Sequence, residues 1–182
     1  MRLSVVIPVY NDPRVRLALD SVLSQEFDGD VEIIVIDGGS TDDTLNVLGR
    51  YRQHLSVLVS EPDEGIFDGL NKGIRRATGD VIGLLGADDR YNDPLVFQAV
   101  ERVLQEPLIE GCYGDLVYVD DSDRVVRYWK SGPYRPLKLF FGWIIPHFAL
   151  FLRRSVYERC GYLDTRYRVA ADYDYILRLL YR

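Results

Sequence analysis

The alternation of apolar runs with helical segments is the feature that most limits how this chain can fold. Short runs rich in valine, isoleucine and leucine cover residues 3–9, 31–36, 55–59 and 81–85, and segments with helical spacing separate them. Strands that alternate with helices at this spacing are typical of a parallel sheet with helices packed against it. We therefore predict an α/β fold with a mostly parallel, Rossmann-like sheet flanked by helices.

The pattern changes after residue 111. Predicted strands at 113–119, 125–129 and 149–152 are followed by predicted helices at 155–160 and 171–181. We expect a smaller mixed β/α lobe for residues 111–182, attached to a first half of residues 1–110. A chain of 182 residues is long enough for one domain, so we expect a single domain over 1–182. Because the sequence stops inside a helical pattern without a glycine cap, we also expect a chain truncated at its carboxyl end.

The charge and the cysteines indicate where the protein works. A net charge of −6 without a basic stripe argues against a general nucleic-acid partner. Cys112 and Cys160 lie far apart without metal-ligand spacing, and no signal peptide precedes the first strand. We therefore predict reduced thiols and a cytoplasmic location.

The longest apolar stretch, residues 140–152, is too short to span a bilayer and contains Pro146 and His147. Two interpretations stay open for this stretch. It is either a core strand with an aromatic flank or a segment that attaches the protein peripherally to the inner face of a membrane.

Polar side chains follow each strand of the predicted first half. Tyr10, Asp37, Glu61 and Asp88 stand at these positions, one for each strand. Ligands of parallel α/β sheets bind at the carboxyl ends of the strands, so we expect these side chains to share one cleft.

Asp88 and Asp89 are adjacent, and two neighbouring carboxylates repel each other unless a cation lies between them and an anionic ligand. Residues 8–12 lack both the G-x-G-x-x-G and the Walker pattern, which argues against a dinucleotide or P-loop site. A divalent ion on this acidic pair would neutralise a phosphate instead.

Several motifs in order carry a family resemblance. They are VVIPVYN at 5–11, IVIDGGSTD at 34–42, EPDEGIFDGLNKG at 61–73, LGADD at 85–89 and ADYDYILRL at 171–179. Together they resemble the family 2 glycosyltransferases, which are inverting enzymes with the GT-A fold. The resemblance implies transfer of a sugar from a nucleotide diphosphate-sugar, a UDP-sugar by default, to a saccharide or lipid-linked acceptor in cell-surface polysaccharide or glycolipid assembly. The alternative is a non-catalytic nucleotide-sugar-binding module or an inactive truncated fragment, which the abrupt end and Ala171 favour.

The resemblance also implies roles for residues of the donor site. Tyr10 matches the position that stacks on the base, with Pro8 and Val9 giving backbone contacts, and Asp37 matches a carboxylate that accepts a hydrogen bond from the base. Asp68, Asn71 and Lys72 stand three and four residues apart, hence on one helical face that lines the nucleotide-sugar site. A strand-end aromatic, a turn aspartate and a solvated helix face are the competing interpretations.

The reaction centre is implied in the same way. Asp88 and Asp89 match a DXD-like motif in which Gly86 or Ala87 replaces the first aspartate. We assign Asp89 to a Mn²⁺ or Mg²⁺ ion, and Asp88 to the ribose or the ion. Asp172 matches the general base, with Ala171 in place of the usual glutamate. His147 and Trp143 are candidate acceptor contacts, and core packing is the competing interpretation for both.

Overall fold

The centre of the structure, a computed structural model that describes residues 1–181, is a six-stranded sheet. The strands of the chain are β1 (Arg2–Val9), β2 (Asp30–Asp37), β3 (Val57–Ser60), β4 (Val81–Leu84), β5 (Gly111–Tyr113), β6 (Leu116–Val119), β7 (Val125–Trp129) and β8 (Leu150–Arg153). The sheet has the order β3-β2-β1-β4-β8-β5, and β6 pairs with β7 in a separate two-stranded sheet. Strands β1 to β4 are parallel, whereas β8 is antiparallel to both of its neighbours, β4 and β5. The predicted mostly parallel α/β sheet is confirmed.

Helices cover both faces of this sheet. They are α1 (Val15–Leu23), α2 (Thr44–Arg50), α3 (Ile66–Arg76), α4 (Val96–Leu104), α5 (Pro136–Leu139), α6 (Arg154–Cys160) and α7 (Ala171–Leu180). One apolar cluster joins alternate residues of β1 to α1, α2 and α4, and a second cluster joins the opposite face to α3, α6 and α7. Because both faces of β1 and β2 are buried, their sequences are almost continuously apolar rather than alternating.

Glu32 is a buried carboxylate near the start of β2. It accepts hydrogen bonds from the Ser4 hydroxyl, from the Thr78 backbone N–H and hydroxyl at 2.8 Å each, and from the Arg2 guanidinium at 3.2 Å. Burial alone would raise the pKa of Glu32, but these hydrogen bonds and the Arg2 charge outweigh it and lower the pKa. The network fixes the amino ends of the central strands.

The predicted strand over residues 113–119 is wrong, because the structure divides it between two sheets. Strand β5 ends at Tyr113, and β6 begins at Leu116. Between them, the Asp115 carboxylate accepts hydrogen bonds from the Ser131 backbone N–H at 2.9 Å and from the Tyr128 hydroxyl at 2.6 Å. These contacts turn the chain out of the main sheet and into the β6–β7 hairpin.

The apolar stretch over residues 140–152 is a strand only at its end. Strand β8 takes up its last residues and continues to Arg153, whereas Phe140 and Phe141 are exposed. Within residues 1–181, no helix is long and apolar enough to cross a membrane. Cys112 and Cys160 are both free cysteines in the structure.

Candidate active site

The carboxyl ends of the first three strands meet at one edge of the sheet. Val9 is in register with Asp37, and Asp37 is in register with Ser60. The loops that follow are joined by hydrogen bonds: the Asn11 backbone N–H donates to the Ser40 hydroxyl, and the Thr41 N–H donates to the Asn11 side-chain oxygen, both at 2.8 Å. Next to this fixed turn, the side chain of Tyr10 is 62% exposed. Its ring is therefore available to a planar ligand at the strand ends.

Asp37 lies beneath this edge and is fully buried. Its carboxylate accepts hydrogen bonds from the Ser40 backbone N–H at 3.1 and 3.2 Å, from the Ser40 hydroxyl, and from the Ser60 hydroxyl at 2.6 Å. In this arrangement Asp37 joins the two loops that form the edge. The predicted contact with a nucleobase would require one of these serine hydroxyls to turn away.

Asp63 is a site residue to which the sequence interpretation assigned no role. Its carboxylate lies between Gly38 and Gly69, where an added Cβ atom would come within 2.7 and 3.2 Å of Asp63 Oδ2. The Gly65 backbone N–H donates to Asp63 Oδ1 at 2.9 Å. Gly38 and Gly69 have no side chains, and this leaves room for the Asp63 carboxylate beside the end of β2. The two glycines are therefore the signal in the sequence that could have identified Asp63.

Helix α3 does not place all three of its predicted site residues on one face. The Lys72 ammonium contacts Glu61 Oε1 at 3.2 Å, Asp68 Oδ2 at 3.3 Å and the Pro62 carbonyl at 3.0 Å. Burial of the amine opposes its charge, but the two carboxylates outweigh this effect and raise the pKa of Lys72. Lys72 and Asp68 therefore form one charged cluster near the strand ends.

Asn71, in contrast, is buried and faces the loop before α7. Its amide donates to the Leu163 carbonyl at 2.8 Å and accepts from the Leu163 N–H at 3.0 Å. The expectation that Asn71 shares the face of Asp68 and Lys72 is corrected, because both ends of its amide are used by a backbone segment 92 residues away.

The acidic pair follows β4 in a tight turn, where the Asp89 backbone N–H donates to the Gly86 carbonyl at 3.1 Å. A Cβ atom on Gly86 would come within 2.5 Å of Asp89 Oδ2, so the Asp89 carboxylate occupies the space that a side chain at position 86 would need. Burial raises the pKa of Asp89, the adjacent Asp88 charge raises it further, and His147 acts in the opposite direction. Asp88 is exposed and lies 3.4 Å from the Arg14 guanidinium.

Asp172 is the second residue of α7, and its carboxylate is joined to His147. His147 Nδ1 lies 3.1 Å from Asp172 Oδ2, and both side chains are partly buried. This hydrogen bond lowers the pKa of Asp172 below its ordinary value, although burial acts to raise it. An electrostatic effect of His147 also acts to lower the pKa of Asp89, so the two side chains lie within electrostatic range of each other.

Trp143 is held by packing on the same side of the structure. Its indole N–H donates to the Ser131 carbonyl at 2.8 Å, and its ring lies against those of Tyr113 and Tyr134. Because these contacts use the polar atom of the indole, the structure favours packing for Trp143 over the predicted acceptor contact.

Asp88 and Asp89 provide two adjacent carboxylates that could bind a divalent cation. Among the residues from 1 to 181, no group of three or more His, Cys, Asp or Glu side chains is placed to hold a metal by itself. Mg²⁺ and Mn²⁺ accept carboxylates together with phosphate oxygens and water. Asp88 and Asp89 therefore suit an ion that is shared with a diphosphate.

Two depressions in the surface of residues 1–181 are not part of this site. A cavity of about 50 Å³ beside Arg75 and Tyr162, and a groove of about 250 Å³ beside Glu101 and Arg102, both lie away from the strand ends.

Comparisons with known proteins agree with this geometry. The sequence model described as "Glycosyl transferase family 2" matches residues 4–160. A PGL/p-HBAD biosynthesis glycosyltransferase of Mycobacterium tuberculosis is 34% identical over 181 residues, which cover 96% of this chain and 68% of the relative. An uncharacterized glycosyltransferase of Nostoc sp. is 29% identical over 94% of this chain and 57% of its own length.

Solved structures share the fold. S. aureus TarS 1–349 superposes with a TM-score of 0.77 and 22% identity over 98% of this chain and 55% of that one. The mannosyltransferase PcManGT from Pyrobaculum calidifontis, solved with GDP-Man and Mn²⁺, gives a TM-score of 0.70 and 23% identity over 93% of this chain and 49% of that one. This chain thus spans about half the length of the solved chains. The fold is that of the GT-A enzymes.

Proposed function

This chain belongs to glycosyl transferase family 2, and from that membership we propose that it moves a sugar from a nucleoside diphosphate-sugar to an acceptor hydroxyl with inversion of the anomeric carbon. The observation that carries the proposal is the contact of His147 with Asp172 at 3.1 Å, together with the acidic pair of Asp88 and Asp89 that follows β4. These groups come from distant parts of the sequence. The acidic pair is the candidate site for the donor diphosphate, and Asp172 is the candidate base.

The donor would lie across the strand ends. The exposed Tyr10 ring stacks on the base, Pro8 and Val9 give backbone contacts, and Asp37 is reached when a serine hydroxyl turns away. UDP-sugars are the default donors, and the TarS structures solved with UDP and with UDP-GlcNAc support that choice.

The phosphates of the donor would meet the charged groups that surround the cleft. Lys72 carries a positive charge beside Asp68 and Glu61, and it would attract the diphosphate at this side. Asp89 and Asp88 would hold a Mn²⁺ or Mg²⁺ ion, which when bound stabilises the negative charge of the leaving nucleoside diphosphate. The GDP-Man and Mn²⁺ complex of PcManGT supports a metal in this fold.

Asp172 would act as the general base. Its lowered pKa keeps the carboxylate ionised, and the His147 hydrogen bond to Oδ2 leaves Oδ1 to take the proton of the acceptor hydroxyl. His147 is thus a positioning residue for the base. Ala171, which stands where the family usually carries a glutamate, is fully buried in the core and leaves this role to Asp172.

The acceptor would be a saccharide or a lipid-linked molecule used in cell-surface polysaccharide or glycolipid assembly. The mycobacterial relative named for PGL/p-HBAD biosynthesis supports a glycolipid. The corresponding location is the inner face of a membrane.

Replacement of Asp172 by asparagine tests the base. We expect kcat to fall by about 10²- to 10⁴-fold, the usual contribution of a general base, while calorimetry shows unchanged UDP binding. Asp174→Asn is the matched control, because the Asp174 carboxylate pairs with Arg178 at 2.8 Å rather than with His147. Normal turnover by Asp172→Asn would refute the assignment. Parent protein that binds UDP without transferring any sugar from a screen of nucleotide-sugars would favour the non-catalytic binding module.

Removal of divalent metal tests the acidic pair separately. We expect EDTA to abolish sugar transfer and added Mn²⁺ or Mg²⁺ to restore it, because Asp88 and Asp89 alone would repel a diphosphate. Asp89→Asn should weaken UDP binding measured with Mn²⁺ and should strengthen UDP binding measured in EDTA, because it removes one of the two charges that repel the diphosphate. Full transfer activity in the presence of chelator would remove the metal from the proposal.

A further inference from the structure

The short helix α5 and the residues around it carry several exposed apolar side chains. We call residues 134–142 the α5 segment. Leu137, Phe140 and Phe141 in this segment are 73%, 71% and 88% exposed. The segment is nevertheless held in place, because Leu139 is buried and the backbone N–H groups of Phe141 and Trp143 both donate to the Lys138 carbonyl. Three large apolar side chains are therefore presented to solvent on an anchored turn.

The charge of the surrounding sequence differs from that of the whole chain. Residues 124–152 contain no Asp or Glu, although the chain carries a net charge of −6. The basic residues in this range are Arg124, Arg127, Lys130, Arg135 and Lys138. Arg124 pairs with the Asp120 carboxylate at 2.8 Å, whereas Arg135 and Lys138 lie within the α5 segment itself, next to its apolar side chains in the sequence.

Exposed phenylalanine and leucine side chains flanked by Arg and Lys fit the boundary between lipid headgroups and acyl chains. We propose that the α5 segment docks the protein on an anionic lipid bilayer. Leu137, Phe140 and Phe141 would enter the interface, and Arg135 and Lys138 would meet the phosphates of the lipid headgroups. This peripheral contact requires no spanning helix, in keeping with the finding for residues 1–181.

The position of the segment connects this surface to the candidate reaction centre. The chain runs from Phe141 through Trp143 to His147, which lies 3.1 Å from Asp172. The Phe140 ring packs against Tyr181 at the other end of α7 from Asp172, so a lipid-linked acceptor in the same bilayer would extend along α7, about 13 Å at the helical rise, to reach the base. This part of the inference rests on the proposed function, whereas the docking itself does not.

Vesicle co-sedimentation tests the docking. We expect binding to vesicles of phosphatidylcholine with added phosphatidylglycerol, weak binding to phosphatidylcholine alone, and release as salt rises from about 0.1 M to about 1 M and screens the charges. The double variant Phe140→Ser with Phe141→Ser should lower the partition coefficient by about tenfold or more. Lys138→Gln should lower it by about fivefold, the equivalent of about 1 kcal/mol for one basic residue at an anionic surface.

Matched controls come from the other end of the molecule. Leu108→Ser removes an exposed apolar side chain between α4 and β5, and Arg102→Gln removes an exposed charge on α4. Both should bind anionic vesicles like the parent, and thermal unfolding should show that the double variant is folded.

Several results would overturn the docking. They are the absence of binding to anionic vesicles, an equal loss of binding in Leu108→Ser, or a double variant that changes the oligomeric state in light scattering and not the vesicle binding. The last result would mean that a protein covers the segment. Release of UDP from a UDP-sugar with a water-soluble acceptor, measured without vesicles, separates the two proposals. The double variant should keep this activity, whereas Asp172→Asn should lose it and still bind vesicles.

Discussion

Replacement of Asn71 by alanine distinguishes the role that the structure gives this residue from the role that its motif implies. In the structure, the Asn71 amide bonds both the carbonyl and the N–H of Leu163, and all of these groups are buried. This contact joins α3 to the loop that leads into α7 and therefore to Asp172. The variant leaves one buried donor and one buried acceptor of the Leu163 backbone without partners.

The expected loss of stability follows from these two unpaired backbone groups. A buried polar group that loses its partner costs about 1–3 kcal/mol, so two such groups cost about 2–6 kcal/mol. The higher helix propensity of alanine offsets at most about 0.7 kcal/mol of this loss. We therefore expect the free energy of unfolding to fall by about 1–5 kcal/mol, a large part of the roughly 5–15 kcal/mol that holds a typical domain folded.

Equilibrium unfolding in urea, followed by circular dichroism, measures this loss. Asn46→Ala is the matched control, because its amide bonds Asp43 at 2.8 Å on the exposed surface and its loss should change stability by less than about 0.5 kcal/mol. Calorimetry with UDP below the transition gives the second measurement, and we expect donor affinity near that of the parent. A variant as stable as the parent but with much weaker UDP binding would refute the structural role and restore the donor contact.

Two further predictions concern packing and pH. Gly73→Ala should destabilise the protein by about 1–3 kcal/mol in thermal or urea unfolding, because its Cβ would come within 2.2 Å of a buried side chain of β1; Gly49→Ala, which meets nothing within 4 Å, should be neutral or stabilising. Glu32 has a lowered pKa in the folded state, so its contribution to stability is present above the ordinary glutamate value of 4.5 and is lost as pH falls through the lower folded value. Glu32→Gln should therefore be less stable than the parent at neutral pH and should show a smaller loss of stability on acidification, and equal slopes of stability against pH for the two proteins would contradict this.

The sequence predicts the first half of the fold well because its signals are local. Strands buried on both faces need continuous apolar runs, and β1 and β2 have them. The division of residues 113–119 between two sheets depends on Asp115, whose partners Tyr128 and Ser131 lie beyond the next turn. A local pattern of apolar residues contains no sign of that contact, so the two short strands appear as one.

The candidate site also has some features that the sequence predicts and others that it does not. The acidic residues at the ends of β2 and β4 follow from the strand pattern, and the structure brings them to one edge of the sheet. The pairing of His147 with Asp172 and the turning of Asn71 toward Leu163 depend on where α7 packs. Helical spacing predicts which residues share a face of α3, but it does not predict which part of the protein that face contacts. For Asn71 the contact is with Leu163, which is 92 residues away in the sequence. Their placement therefore had to come from the structure.

The insertion of β8 between β4 and β5 also affects the order in which the protein can form. While the polypeptide emerges from the ribosome, β4 has β1 on one side and an open row of backbone N–H and C=O groups on the other until residues 150–153 have been made. An unpaired apolar edge strand readily pairs with a neighbouring chain. We therefore expect a nascent or engineered fragment that stops at residue 110 to self-associate, and the free edge of β4 to be covered only after β8 has paired with it.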